Sequence, residues 1–161
     1  MLANLAMHAL DVHLSEMCRQ LAWTYTRYAD DLAFSRIDDV QRSSAMQLVK
    51  FVEDALNTFG LTVRHSKTSV APPRARKVML GVLVDRERPR LTRSFRNNLE
   101  THLYALKSPK IGAHAHMQSR GFASRIGMQR HVAGLLAFAH QVDREYAAKQ
   151  YRLFNSIDWN S

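Results

Sequence analysis

At 161 residues the chain is long enough for one domain or two small ones sharing a core, and its 46% hydrophobic and 23% charged residues exclude the disordered and low-complexity classes. A formal net charge of +9 favours polyanionic partners, nucleic acid first among them, with anionic lipid as the alternative. One cysteine, Cys18, excludes a disulfide framework or a multi-cysteine zinc site and suits a reducing cytoplasm, and no apolar run approaches the roughly 20 residues that span a bilayer.

The chain enters an amphipathic pattern at once, Met1-Leu2-Ala3-Asn4-Leu5, with no basic or cleavable leader, and is expected to begin inside an element. Leu2, Leu5, Leu10, Leu14, Met17 and Leu21 recur at helical spacing and predict one helix from Leu2 to Leu21. Trp23 to Tyr28 and Leu32 to Ser35 are rich in aromatic and β-branched residues, so two short strands are expected on either side of an Ala29-Asp30-Asp31 turn. Asp38 or Asp39 can cap a second helix carrying Met46, Val49, Phe51, Val52, Leu56 and Phe59, with Gly60 as its terminator. A strand at Leu61-Thr62-Val63 follows. After the basic break at Pro72-Pro73, Val78 to Val84 reads as one buried strand, and a domain boundary is placed just beyond it. Thr92 can cap a helix from about Arg93 to Leu106. Lys110 to Phe122 lacks periodicity and reads as a loop, and helices are expected near Met128–His140 and Asp143–Phe154.

Adjacent carboxylates at a hairpin tip, Asp30 and Asp31, repel one another unless a cation lies between them. Mg2+ suits such a pair, because it takes a few carboxylate oxygens and completes an octahedral shell with water and phosphate. Asp-Asp alone serves plain turn chemistry equally well. Farther on, the acids between Arg86 and Arg130 are Glu87 and Glu100, against Arg88, Arg90, Arg93, Arg96, Lys107, Lys110, Arg120 and Arg125. A helix with Arg93 and Arg96 one turn apart can track a phosphate backbone, or be a solvated charged face. Phe95, Tyr104 and Phe122 can stack on bases but fit a core as well. His114-Ala115-His116 lacks a third ligand nearby and is not read as a metal site; Cys18, on a helix, reads as a small buried residue.

Tyr28-Ala29-Asp30-Asp31, within Tyr25-Thr26-Arg27-Tyr28-Ala29-Asp30-Asp31-Leu32-Ala33-Phe34-Ser35, resembles the Tyr-x-Asp-Asp hairpin of reverse transcriptases of the retron and group II intron kind. The order of neighbouring motifs agrees. Leu2-Ala3-Asn4-Leu5, in a helix ending near Asp11, resembles the palm helix after the family's Ser-Pro motif. Gly60-Leu61-Thr62-Val63 with Lys67-Thr68 resembles the next palm motif, with Arg64 where the family usually has Asn. Leu80-Gly81-Val82-Leu83-Val84 resembles the primer-grip hairpin, although retron enzymes often show Val-Thr-Gly where this chain has Val78-Met79-Leu80-Gly81. The carboxy-terminal stretch from His131-Val132-Ala133-Gly134-Leu135-Leu136-Ala137-Phe138 to Ile157-Asp158-Trp159 resembles the thumb of retron-like enzymes.

The resemblance implies an α+β fold, with a partial polymerase palm (an antiparallel sheet with two helices) over residues 1–84 and a helical thumb over 85–161. It implies RNA-directed DNA synthesis with two Mg2+ ions in the complete enzyme. Asp30 and Asp31 would be the metal ligands, Asp30 the stronger, and Lys67 would lie near the triphosphate unless it is a solvated loop lysine. Tyr28, Gly81, Arg93, Arg96, Lys107 and Lys110 would face primer and template. Gly81 would let backbone approach the primer or mark a strand bulge. Expected partners are an RNA template, a DNA primer or RNA/DNA hybrid, a deoxynucleoside triphosphate, and a fingers-and-palm segment with a further aspartate, in cis or in trans, without which the chain is not expected to polymerise. No membrane partner is expected, and a bacterial cytoplasmic location and a role in antiviral defence go with the resemblance. The alternatives are a group II intron maturase, an untemplated defence polymerase, or a non-catalytic basic RNA-binding module.

Overall fold

The computed structural model describes residues 2–159, folded as two compact units, Met1–Ala75 and Arg76–Ser161. Among the described residues the elements are seven α-helices and two small antiparallel sheets, an α+β fold. No described helix is long and apolar enough to cross a membrane.

In the first unit, Leu10, Leu14 and Cys18 recur every four residues, and this stripe is what α2 (His8–Gln20) buries. The expected single helix is corrected here, because α1 (Leu2–Ala6) is separated from α2 at Met7. Leu5, on α1, is exposed. α2 ends on Ala22 at φ +57, with Trp23 N donating to Cys18 O at 2.8 Å, a left-handed cap made without glycine. Strands β1 (Thr24–Tyr28) and β2 (Asp31–Ser35) form an antiparallel hairpin against α2.

Helix α3 (Arg42–Thr58) follows, with Gln41 at its start and no side-chain cap. The expected Asp38 or Asp39 cap is therefore a correction, and Asp38 instead pairs with Arg36 at 3.3 Å. Gly60 at φ +71 does end α3: its N–H donates to Asn57 O, and Leu61 N donates to Leu56 O at 2.9 Å. Leu48, Val52, Ala55 and Leu56 meet Leu10 and Leu14 in the core, with Trp23, Tyr25, Leu32, Phe34, Leu61 and Val63 packed around them. Leu61 and Val63 are half-buried and Thr62 is exposed, yet the segment pairs with no described strand, which corrects the expected strand. A 3-10 turn, His65–Lys67, follows.

In the second unit, β3 (Val78–Met79), β4 (Val82–Leu83) and β5 (Arg90–Leu91) pair in that order. The expected continuous buried strand from Val78 to Val84 is corrected: Leu80 and Gly81, both at positive φ (+48 and +81), turn the chain back, and Val78 and Met79 are exposed. Four helices follow: α4 (Arg93–Lys107), α5 (Gly112–Ser119), α6 (Arg125–Val142) and α7 (Arg144–Asn155). Thr92, Ser124 and Asp143 cap α4, α6 and α7, each accepting from a backbone N–H three residues on. The core is Leu91, Leu99, Leu103, Leu106, Met128, Val132, Leu136, Ala139 and Ala147 with their small neighbours.

Helix α5 lies where a loop was expected. Ala113 and His116 are buried on its inner face, and Gly121 ends it with Phe122 N donating to Met117 O. Histidine reads as polar in a periodicity count, which hid the stripe. His116 Nε2 lies 2.9 Å from His102 Nδ1 of α4, and both rings are buried. Burial pushes His102 down to about 4, helped by the charges of His116, Arg120 and His131, and it lowers His116 as well.

Between about pH 6.5 and about pH 4 the unfolded chain therefore binds protons that the folded chain refuses, so stability falls as pH drops through this window. From about pH 7 to about pH 5 the loss expected from His102 alone is about 2 kcal/mol. Urea unfolding at the two pH values measures it. Replacing both rings, His102→Leu with His116→Leu, should flatten the dependence, since neither partner is then left unpaired.

Candidate active site

Alternation along β1 decides which side chains meet the protein. Tyr25 and Arg27 are half-buried, while Thr24, Thr26 and Tyr28 are exposed, Tyr28 to 67%. The register pairs Tyr28 with Asp31, Arg27 with Leu32 and Tyr25 with Phe34. Cross-strand partners share a face, so Asp31 stands beside Tyr28 on the outer face while Leu32 and Phe34 turn inward with Arg27 and Tyr25. Ala29 and Asp30 form the two-residue connection. Ala29 has φ +53, as a primed hairpin turn demands at its first residue, where glycine is the usual occupant.

Both carboxylates are exposed, and among the described residues neither side chain makes a hydrogen bond or ion pair. Neighbouring carboxylates whose repulsion no basic side chain relieves are a donor set that fits a hard divalent cation such as Mg2+. Among the described residues no cluster of three or more His, Cys, Asp or Glu side chains forms a metal cage. The pair thus offers two ligands, and an ion there would complete its shell from water, phosphate or another segment.

Behind the turn lies a network that sequence reading missed. Asp11, on α2, accepts from Tyr25 Oη at 2.8 Å and from Arg27 Nε and Nη2 at 2.8 and 2.6 Å. The Arg27 guanidinium holds the Asp11 carboxyl below the usual carboxylate range, while burial and the bond to Asp11 raise the Tyr25 phenol. Arg27 Nη1 reaches the Ala29 carbonyl at 2.8 Å and Asn4 Oδ1 at 3.3 Å. Arg27 lies inside the motif stretch and Asp11 in the first turn of α2, but nothing in a one-dimensional pattern pairs two residues from different elements.

Lys67, in the same unit as the carboxylates, closes the 3-10 turn, is exposed, and pairs with neither of them. Arg64 holds that turn through its carbonyl, which accepts from Lys67 N at 2.9 Å and Thr68 Oγ1 at 3.3 Å.

The remaining candidates belong to the second unit. Gly81 sits at the β3–β4 turn, where its positive φ is what requires glycine, since an added Cβ would come no nearer than 4.0 Å to the Phe138 ring. Arg93 and Lys107 are exposed at the two ends of α4, and Lys110 is exposed just beyond. Arg96 is engaged within the unit: its Nη2 donates to Asp143 at 2.8 Å, and its guanidinium lies 4.6 Å from the centre of the Tyr146 ring. Tyr146 Oη in turn donates to Glu100 at 3.0 Å, so one latch ties α4 to α7. His114, on the exposed side of α5, meets Gln118 at 3.1 Å, whereas His116 turns inward to His102. Phe95 and Phe122 pack on the core, and Tyr104 is 74% exposed.

No family model matches the chain. It is 29% identical to the retron Mx162 reverse transcriptase of Myxococcus xanthus over 153 residues, covering 86% of this chain and 32% of that enzyme. It is 29% identical to the retron Ec86 reverse transcriptase of Escherichia coli over 145 residues, covering 88% of this chain and 39% of that enzyme. For the retron Mx65 reverse transcriptase of Myxococcus xanthus the identity is again 29%, over 154 residues, covering 94% and 31%. The chain is therefore similar along most of its length to retron reverse transcriptases and spans about a third of the length of these relatives.

Proposed function

We propose that the chain is the carboxy-terminal palm and thumb portion of an RNA-directed DNA polymerase, extending a primer 3′-hydroxyl with deoxynucleoside triphosphates on an RNA template. The observation that carries the reading is the Ala29–Asp30 hairpin turn, which presents two exposed, unpaired carboxylates in a chain similar to retron reverse transcriptases. Two Mg2+ ions, when bound, would stabilise charge on the attacking and leaving oxygens of phosphoryl transfer. Asp30 would be the firmer ligand, standing at the turn itself, and Asp31 a second ligand from the outer sheet face. The further aspartate and the nucleotide-gripping fingers would come from a separate segment, in cis or in trans. Lys67 would lie near the triphosphate, where an ammonium can stabilise the leaving group.

In this reading residues 1–84 act as palm and 85–161 as thumb, with the Gly81 turn and Tyr28 toward the primer. Arg93 stands at the amino end of α4, where the helix dipole gives a cation no stabilising reason to be, so an approaching phosphate is the natural partner. Lys107 and Lys110 extend the same role. Arg96, committed to Asp143 and Tyr146, would act on the duplex by holding α4 against α7. A bacterial cytoplasmic setting and a role in antiviral defence go with this reading.

Primer extension tests it. A chimaera in which this chain replaces the matching third of one of the similar reverse transcriptases should extend a DNA primer on RNA in Mg2+ and lose that activity with Asp30→Asn. Failure to extend, with RNA/DNA hybrid binding indifferent to Asp30→Asn, would favour a non-catalytic RNA-binding module. Hybrid binding by the chain itself gives a separate prediction. Removing Arg93, Lys107 and Lys110 together should make the slope of log affinity against log salt shallower by about 0.9 for each phosphate no longer neutralised. Fluorescence anisotropy across a salt series measures the slope, and an unchanged slope would remove these three residues from the interface.

A further inference from the structure

We infer that Arg27 is a positioning residue that fixes the Ala29–Asp30 peptide, and through it the aim of Asp30; this rests on the metal-binding reading of Asp30 and Asp31. The arginine is unusual for its place. Tyr28, its neighbour in a strand of a highly basic protein, is 67% exposed, yet the Arg27 side chain is only 8% exposed. Its fork grips both Asp11 oxygens and leaves one nitrogen, Nη1, for the Ala29 carbonyl at 2.8 Å.

The Ala29 carbonyl belongs to the peptide plane whose nitrogen is that of Asp30. Holding this oxygen sets the plane, and with it the N–Cα bond from which the Asp30 side chain departs. The turn needs such a hold, because alanine at φ +53 lies in a region that L-residues with a Cβ avoid. Glycine would adopt that φ without strain but would leave the plane free to move. This chain combines alanine with an arginine anchored to α2.

Charge is arranged to match. A free guanidinium this near the turn would compete with a divalent cation for the carboxylates. Asp11 neutralises it locally, and Tyr25 Oη occupies a further Asp11 lone pair, so Arg27 orients the turn without adding net charge beside Asp30. Its place resembles that of the outer partners that orient ligands at metal sites, whose loss typically weakens metal affinity.

The test uses this chain with Mn2+ in place of Mg2+, read by paramagnetic broadening of backbone amide signals from Tyr28 to Leu32. Wild type, Asp30→Asn, Arg27→Lys and Arg27→Gln are compared, with thermal unfolding followed in parallel. Lysine keeps the charge and can still pair with Asp11, but it lacks the planar fork that reaches Asp11 and Ala29 O together. Expected is local broadening that Asp30→Asn abolishes and that needs about tenfold more Mn2+ in the folded Arg27 variants. If Asp30→Asn leaves the broadening intact, the metal-binding reading itself is wrong. If Asp30→Asn abolishes it while either folded Arg27 variant binds Mn2+ like wild type, the positioning role is overturned and the metal reading stands. Two replacements are used because one folded variant suffices.

Discussion

Primer extension by the chimaera is expected to fall by about a thousandfold or more when Asp30 is replaced by asparagine, because a metal ion at such a site supplies several kcal/mol of transition-state stabilisation and about 4 kcal/mol corresponds to that factor. Asparagine has the shape of aspartate and tolerates turn positions, so the Ala29–Asp30 connection survives and only the ligand charge is removed. Single-turnover rates at saturating nucleotide are the proper measure, since they separate loss of chemistry from loss of nucleic-acid binding. Asp31→Asn is expected to cost less, because Asp31 is the first residue of β2 and stands on the sheet face beside Tyr28. Equal single-turnover rates for wild type and Asp30→Asn would leave the pair with turn chemistry alone.

The second large effect is on stability. Leu99→Ala should destabilise the second unit by about 3 kcal/mol, the usual range for emptying a fully buried leucine site that cannot collapse. Leu99 has no exposure at all and lies in the core with Leu103, Leu106, Met128 and Leu136. Few domains have more than about 5–15 kcal/mol in total, so this one truncation removes a large share. Trp159 packs against Phe154 within this unit at a ring separation of 5.3 Å, so in a Trp23→Phe background its fluorescence reports the unit's unfolding in urea. A midpoint shift equivalent to less than about 1 kcal/mol would mean that the site repacks.

The hairpin was legible because its signals are local. Aromatic and β-branched residues alternate on either side of an acidic turn, and the structure pairs Tyr28 with Asp31 across it. Thr92 and Gly60 were legible as cap and terminator for the same reason. What failed was non-local or hidden by residue type. Leu61 to Val63 has a strand's alternation but no described partner. Val78 to Val84 looked continuous because Leu80 occupies a left-handed position that leucine seldom takes. Helix α5 went unseen because its buried face carries a histidine, whose partner, His102, lies on another helix. Asp11 could not be joined to Arg27 without the fold that sets α2 beside β1.

Most of the pairings described above join neighbours in the chain: β1 with β2, β3 with β4, α4 with α5, α6 with α7. Closing such short loops costs little entropy, so these pieces should assemble early and quickly, on the microsecond to millisecond scale typical of chains whose packing is mostly local. The Arg96–Asp143 and Glu100–Tyr146 bonds bridge about fifty residues and must wait until both helices exist. A latch that closes late contributes little to the folding transition state, so mutations there should mainly speed unfolding and change refolding less than mutations in the early-formed hairpins.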